Sequence, residues 1–244
     1  GESDNLSDLI FSNLQLSKGP KVVVIGGGTG LSVMLRGLKA KTYNLTAVVT
    51  VADDGGSTGR IRQDLDIIAP GDLRNCLVAL ADKEGLMEKL FAHRFGGSGN
   101  LTGHSFGNLF IAALIEVLGD VEEAMDATSK VLRVRGKVIP SSAEKLRLNA
   151  EMTDGRIVEG ESQIPHAHGK IKRVFTTPEH PRAIQSAVDA IREADAIVLG
   201  PGSLYTSIMP NLCVPDIVQA VRTSKAPKIY ICNVMTQPGE TDDY

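Results

Sequence analysis

One passage constrains this chain more than any other: Lys21-Val-Val-Val-Ile25 breaks into Gly26-Gly27-Gly28-Thr29-Gly30, and Leu31, Met34, Leu35 and Leu38 follow. A β-branched run bounded by glycines reads as a strand, and apolar residues at i, i+3, i+4 and i+7 read as a helix with one buried face. A strand apolar at every position is covered on both sides, which is the condition of a parallel sheet packed between helices.

The rest of the 244 residues largely repeats that grammar and suits one main core. A second strand, 45–51, ends in Ala52-Asp53-Asp54-Gly55-Gly56-Ser57-Thr58-Gly59-Arg60, a second polar glycine-rich loop. A helix is predicted after Pro70-Gly71, with Asp72 as N-cap and Leu73, Cys76, Leu77 and Leu80 inward, continuing past a break at Gly85 towards Phe91. A third loop, Gly96 to His104, leads into a helix predicted to bury Phe106, Leu109, Phe110, Ala113, Leu114 and Val117. Asp120 and Glu123 form a capping box for the next helix, to about Val131.

Between about 132 and 176 the period falls to two. Arg133, Arg135 and Lys137 alternate with Val134 and Val138, and Asp154-Gly155 is a hairpin signal, so this stretch is expected to be an antiparallel excursion. The first pattern then returns: a helix over 181–194, a strand at 196–199, Gly200-Pro201-Gly202-Ser203-Leu204-Tyr205-Thr206-Ser207, and a strand at 228–232 running into Asn233. Residues 1–19 are polar with a weak helical pattern, expected to be a docking helix or an appended lead outside the core. The expected fold is α/β and Rossmann-related: a mostly parallel sheet with helices on both faces and an antiparallel hairpin excursion.

Composition narrows the function. Twenty-six Lys and Arg against 29 Asp and Glu leave a net charge of -3, without the basic footprint of a general nucleic-acid binder. With 6 Phe, 4 Tyr and no Trp, base-stacking platforms are not expected. The longest apolar run, 109–118, contains Glu116 and is too short to span a bilayer, so a cytoplasmic protein without membrane insertion is expected. Three cysteines, Cys76, Cys213 and Cys232, lie far apart and read as reduced, buried small hydrophobes.

The 25 glycines matter more. In open α/β sheets ligands bind beyond the carboxyl ends of the strands, where glycines let backbone N–H groups approach an anion and helix N-termini add positive charge. A phosphorylated ligand is therefore expected. The loop fits neither common template, because Leu31 stands where G-x-G-x-x-G and the P-loop pattern require other residues. Asp53 is read as a ligand contact and Asp54 as a metal or loop residue; with Asp72 within reach, they form a candidate Mg²⁺ site bridging a diphosphate. Ser105 reads as a helix cap, with His104 and Asn108 beside the phosphate. His166 and His168 would share one strand face without an evident third metal ligand. Lys170, Lys172 and Arg173 form a basic cluster, read mainly as a solvated strand edge. G-x-S-x-G is absent, so nucleophilic catalysis is not indicated.

Seven blocks, in order, resemble a known family: Val24-Ile-Gly-Gly-Gly-Thr-Gly-Leu31, Val51-Ala-Asp-Asp-Gly-Gly-Ser57, Pro70-Gly-Asp-Leu-Arg-Asn75, Leu101-Thr-Gly-His-Ser-Phe-Gly-Asn108, Leu132-Arg-Val-Arg-Gly136, Gly200-Pro-Gly-Ser-Leu-Tyr-Thr-Ser207 and Cys232-Asn-Val-Met-Thr-Gln-Pro-Gly-Glu240. They look like the motifs of the bacterial gluconeogenesis factor (YvcK) family, related in fold to the 2-phospho-lactate transferase CofD. The resemblance covers about 20–241 and implies a CofD-like cytoplasmic domain, 20–244, that binds a UDP-sugar such as UDP-N-acetylglucosamine.

It implies regulation rather than turnover, with a role in growth and cell shape on gluconeogenic carbon sources through cell-wall synthesis. A homodimer and cell-wall-synthesis proteins are the implied partners. A Mg²⁺-dependent transferase acting on a nucleotide-diphospho substrate is the alternative. Carried over by position, Gly26, Gly27, Gly28, Thr29, Gly30, Asp53, His104, Asn108, Gly200, Pro201, Gly202, Ser203 and Asn233 would line the ligand cleft, with Asp54 towards metal. Gly55, Gly56, Ser57, Arg74, Asn75 and Ser105 lie in the same blocks and complete the set. The family continues beyond the position of Tyr244 with a further helical segment and strand, so part of the ligand wall is expected to be missing, and the polar lead is longer than the family usually shows.

Overall fold

The computed structural model describes residues 6–82 and 85–242. Helix α1 (Leu6–Ser17) precedes β1 (Val22–Gly26), α2 (Gly28–Leu38), β2 (Leu45–Val49), α3 (Gly56–Leu65), α4 (Gly71–Leu80), α5 (Gly85–Ala92), α6 (Phe106–Leu118), α7 (Val121–Leu132) and β3 (Lys137–Pro140). Strands β4 (Arg147–Met152) and β5 (Ile157–Glu159), a 3₁₀ turn (Glu161–His166) and β6 (Ile171–Thr177) come next. Then α8 (Gln185–Glu193), β7 (Ala196–Leu199), a π-turn (Leu204–Ile208), α9 (Met209–Leu212), α10 (Pro215–Thr223) and β8 (Lys228–Tyr230) complete the order.

The main sheet has the order β3-β2-β1-β7-β8 and is parallel throughout. From central β1 the chain builds outward through β2 and β3 on one side, and then β7 and β8 on the other. The direction of winding therefore reverses between β1 and β7, which opens a crevice at their carboxyl ends. Val23, Val24 and Ile25 are almost wholly buried, as the unbroken apolar run predicted. Strands β5-β4-β6 form a separate antiparallel sheet, turned at Asp154-Gly155.

Several expectations change. The excursion begins later than 132, because β3 pairs parallel with β2 as an edge of the main sheet. The alternating Arg133, Val134 and Arg135 belong to the cap of α7 and the turn after it, and β3 itself, Lys137-Val-Ile-Pro140, is buried at every residue but the first. The supposed loop 52–60 turns into α3 at Gly56; its glycines and hydroxyls concealed a helix whose inward face is Ser57, Thr58, Gly59 and Ile61. Asp72 does not cap α4: Pro70 is the N-cap and Asp72 lies within the first turn. Helices α9 and α10 had no counterpart in the pattern read from the sequence.

Helix α6 is rotated from the predicted face. Gly107, Asn108, Ile111 and Ala112 are buried, whereas Val117 is 78% exposed and Ala113 is exposed. An almost wholly apolar helix has no polar face to fix its rotation; packing fixes it. The Gly107 backbone lies against Phe91 O and the Arg74 side chain, where a Cβ would approach to 2.7–2.8 Å. Phe106 and Phe110 pack instead around buried Phe91, with ring centroids 5.8 and 4.9 Å from it. Asp120 caps α7 through Glu123 N–H at 2.9 Å, as predicted.

Cys76 is buried, Cys213 partly so and Cys232 exposed, which corrects the expectation of three buried thiols. His166 lies in the 3₁₀ turn and His168 has a φ of 47°, so they do not share a strand face. Helix α1 is tied to the body: Tyr43 Oη donates to Asn13 Oδ1 at 2.7 Å, Tyr43 N–H donates to Leu16 O, and Arg135 stacks on Tyr43 while donating to Asn13. No helix among the described residues is long and apolar enough to cross a membrane.

Candidate functional site

Two loops meet at the crevice. Gly26 ends β1, Gly27 is the N-cap of α2 with no side-chain cap, and Gly28 takes a φ of +71°. The opposing loop brings Pro201 O so close to Gly30 that a Cβ there would stand 3.1 Å from it, and a Cβ on Gly202 would stand 3.2 Å from Gly27 O. Glycine at 30 and 202 is thus required first by backbone packing. Thr29 O accepts from Ser32 Oγ within α2. Asn233 Nδ2 donates to Gly202 O at 3.0 Å, and Gln237 Nε2 donates to Ser203 Oγ at 2.6 Å, so the segment after β8 braces the β7 loop.

Beside this junction lies a carboxylate pair. Asp53 Oδ1 accepts from Gly55 N–H at 2.9 Å, and its other oxygen faces the start of α4 against Gly71. Asp72 accepts from the Gly28 N–H, which links α4 to the β1 loop. Burial, and then the charge of Asp53, push the Asp72 carboxyl up to about 6. Asp54 faces elsewhere: its Oδ1 accepts from Ser162 N–H at 2.8 Å and ties the β2 loop to the 3₁₀ turn. Among the described residues no group of three or more His, Cys, Asp or Glu side chains is arranged to hold a metal.

A third cluster lies where α3 and α6 begin. Gly55 caps α3 without a side-chain bond, and Gly56 takes a φ of +50°. Ser57 Oγ stands 3.1 Å from His104 Nδ1 and accepts from Ser105 N–H at 3.2 Å and Asn108 Nδ2 at 3.3 Å. Ser105 caps α6 as predicted, accepting from Asn108 N–H at 3.4 Å. Burial, and then the Arg60 charge, lower the His104 pKa. Arg74 is buried and donates to Asn75 Oδ1 at 2.6 Å, with Asp72 and Asp53 among the charges that act on it.

The sequence left three contributors unmarked. Arg62 of α3 donates to Asp53 O at 2.8 Å, Leu146 O at 2.6 Å and Ala52 O at 3.3 Å. Glu161 faces the same acids: burial, then Asp53, Asp72, Asp54 and Glu240, hold its carboxyl well above the usual range. Asn211, fully buried in α9, donates to Gly26 O at 3.1 Å and Ser207 O at 3.0 Å. Only the position of Arg62 on the inner side of a helix could have signalled its role, and that helix had been read as a loop.

The comparisons with known proteins agree with this architecture. The profile of the family described as "2-phospho-L-lactate transferase CofD" matches residues 22–244. The chain belongs to the CofD family. Within it, the chain is 58% identical to the gluconeogenesis factors of Halalkalibacterium halodurans, over 93% of this chain and 70% of that protein, and of Bacillus subtilis, over 92% and 71%. A relative from Nostoc sp. is 57% identical over the whole chain, which spans 54% of that protein. A crystal structure from Bacillus halodurans superposes with a TM-score of 0.90 at 57% identity, over 93% of this chain and 73% of that one. This CofD-family chain is thus similar to proteins named gluconeogenesis factors, and it spans about half to three quarters of their length.

Proposed function

We propose that the crevice between β1 and β7 is the binding site of a cytoplasmic UDP-sugar sensor, with UDP-N-acetylglucosamine as ligand, acting in growth and cell-shape maintenance on gluconeogenic carbon sources. One observation carries the reading: α2 and α3, which follow adjacent parallel strands, both begin at glycine N-caps without side-chain partners. Such ends supply about half a positive charge each and the N–H donors of their first turns beyond Gly28, whose N–H is held by Asp72, and this suits a diphosphate. The names of the relatives support the gluconeogenic context. Calorimetry with UDP-N-acetylglucosamine tests it: binding is expected at or below millimolar concentration and weakened by Asp53→Ala, whereas no heat at millimolar ligand from a folded protein would refute it.

A second reading, transfer of a phospho-lactyl-type group, is favoured by the Asp53–Asp72 pair. Two carboxylates whose mutual charge raises one pKa suit a hard divalent cation such as Mg²⁺, which would supply charge neutralisation at a diphosphate. Asp54, engaged with Ser162, suits that role less well. Mg²⁺-dependent cleavage of a nucleotide-diphospho substrate, read by phosphorus NMR, would replace the regulatory reading with this one.

A further inference from the structure

We propose that His104 works as a neutral hydrogen-bond donor, its Nδ1 held proton-free by the Ser57 hydroxyl and its Nε2–H offered to an anionic oxygen of the ligand. The ligand half of this rests on the phosphate-binding reading above; the tautomer half does not.

The argument is one of hydrogen-bond capacity. A serine hydroxyl has one proton to give and two lone pairs. With the Asn108 amide placed so that Nδ2 donates to Ser57 and Oδ1 is buried without a partner, both Ser57 lone pairs are taken, by the Ser105 backbone N–H, which can only donate, and by Asn108 Nδ2. The Ser57 proton is thus left for the one remaining neighbour, His104 Nδ1 at 3.1 Å. A ring that accepts at Nδ1 and is neutral carries its proton on Nε2. No described residue bonds to Nε2.

Charge acts in the same direction. Arg60 and Arg94 hold the loop that carries His104, through Thr102 O at 2.9 Å and Gly103 O at 3.0 Å. Arg74 lies nearby on α4, close enough to Arg94 for the two charges to repel. Asp64 of α3 is the acid that favours protonation, and burial and Arg60 outweigh it. A further positive charge is thus disfavoured beside the Arg60 guanidinium, and a neutral N–H still binds an anionic oxygen.

Histidine ring ¹⁵N NMR tests this on the whole chain without ligand. The other four histidines, His93, His166, His168 and His180, are exposed and serve as internal references, with His104→Gln to assign the signal. His104 is expected in the Nε2–H form at pH 7 and to protonate below the ordinary histidine range. Ser57→Ala should raise its titration midpoint towards the ordinary histidine value, and Ser57→Thr, which keeps the hydroxyl, should not; the second comparison holds if the alanine variant fails to fold. Asn108→Asp gives the Ser57 proton a competing acceptor and should release Nδ1. An Nδ1–H form or an imidazolium at pH 7 would overturn the tautomer. With UDP-N-acetylglucosamine added, the Nε2–H resonance should shift, and His104→Leu should weaken binding about tenfold while His104→Gln, which keeps a donor, weakens it less. Binding that leaves Nε2–H unmoved would overturn the donor role. If the nucleotide sugar does not bind at all, the UDP-sugar reading fails instead, and pyrophosphate serves as the probe for the same shift.

Discussion

Arg62→Met removes the hydrogen bonds that join the β2 loop to the antiparallel sheet while keeping the apolar stem. The guanidinium donates to Asp53 O at 2.8 Å and to Leu146 O, 84 positions from Arg62, at 2.6 Å, with a weaker bond to Ala52 O at 3.3 Å. A charged donor contributes about 1.5–3 kcal/mol per bond, so the two short ones amount to about 3–6 kcal/mol. Burying that cation has a cost, shown by its lowered pKa, and methionine escapes it. A net loss of about 3 kcal/mol is expected, or about 6–12 °C in melting temperature for a domain of this size. Arg62→Lys should recover only part of it, since one ammonium cannot bridge both carbonyls. Calorimetric melting is the assay, with UDP-N-acetylglucosamine titration to follow the displaced Asp53. A Met variant that melts with the wild type would refute the view that Arg62 holds the two sheets together.

Asp72→Asn should stabilise the protein at pH 7. The folded Asp72 pKa of about 6 lies above its unfolded value, so the folded state binds the extra proton and stability falls as pH rises between about 4 and 6. Roughly two pKa units correspond to about 2–3 kcal/mol, and the asparagine variant should lose that slope in urea melts run across pH. Under the Mg²⁺ reading, millimolar Mg²⁺ should raise the wild-type melting temperature and leave Asp72→Asn unmoved. Ile111→Ala should cost about 2–5 kcal/mol and Val117→Ala less than about 0.5, by chemical denaturation; the reverse order would restore the helix face expected from sequence. Gly30→Ala brings a Cβ to 3.1 Å from Pro201 O, so the two loops must part by a few tenths of an ångström and stability should fall, read by a melt, with nucleotide-sugar binding followed by calorimetry on the folded variant.

The site is built from parts that rank unequally in visibility. Asp53, His104, Ser105 and Asn108 stand out as polar residues at strand ends and helix starts, and the fold brings them to one edge. Glu161 and Glu240 gave no such signal; Glu161 comes to face both Asp53 and Glu240 because the 3₁₀ turn and the 237–241 segment close together, Gly239 lying against Pro165 O. Gln237 and Asn233 matter through the backbone and side-chain oxygens they brace on the β7 loop.

By itself the sequence determined the parallel sheet, since a strand apolar at every position can be satisfied only between two layers, and it determined where the phosphate-suited loops lie, since glycines at strand ends ease close backbone approaches such as those at Gly30 and Gly202. The Asp154-Gly155 hairpin and the Ser105 and Asp120 caps are likewise local chemistry. Tertiary structure decided what periodicity leaves degenerate: which face of the nearly all-apolar α6 turns inward, whether a short edge strand such as β3 pairs parallel, and which of two adjacent acids, Asp53 or Asp54, faces Asp72. Each is a choice among conformers of similar local energy. Contacts from distant segments settle it, as Ser162 does for Asp54 and Arg74 for Gly107.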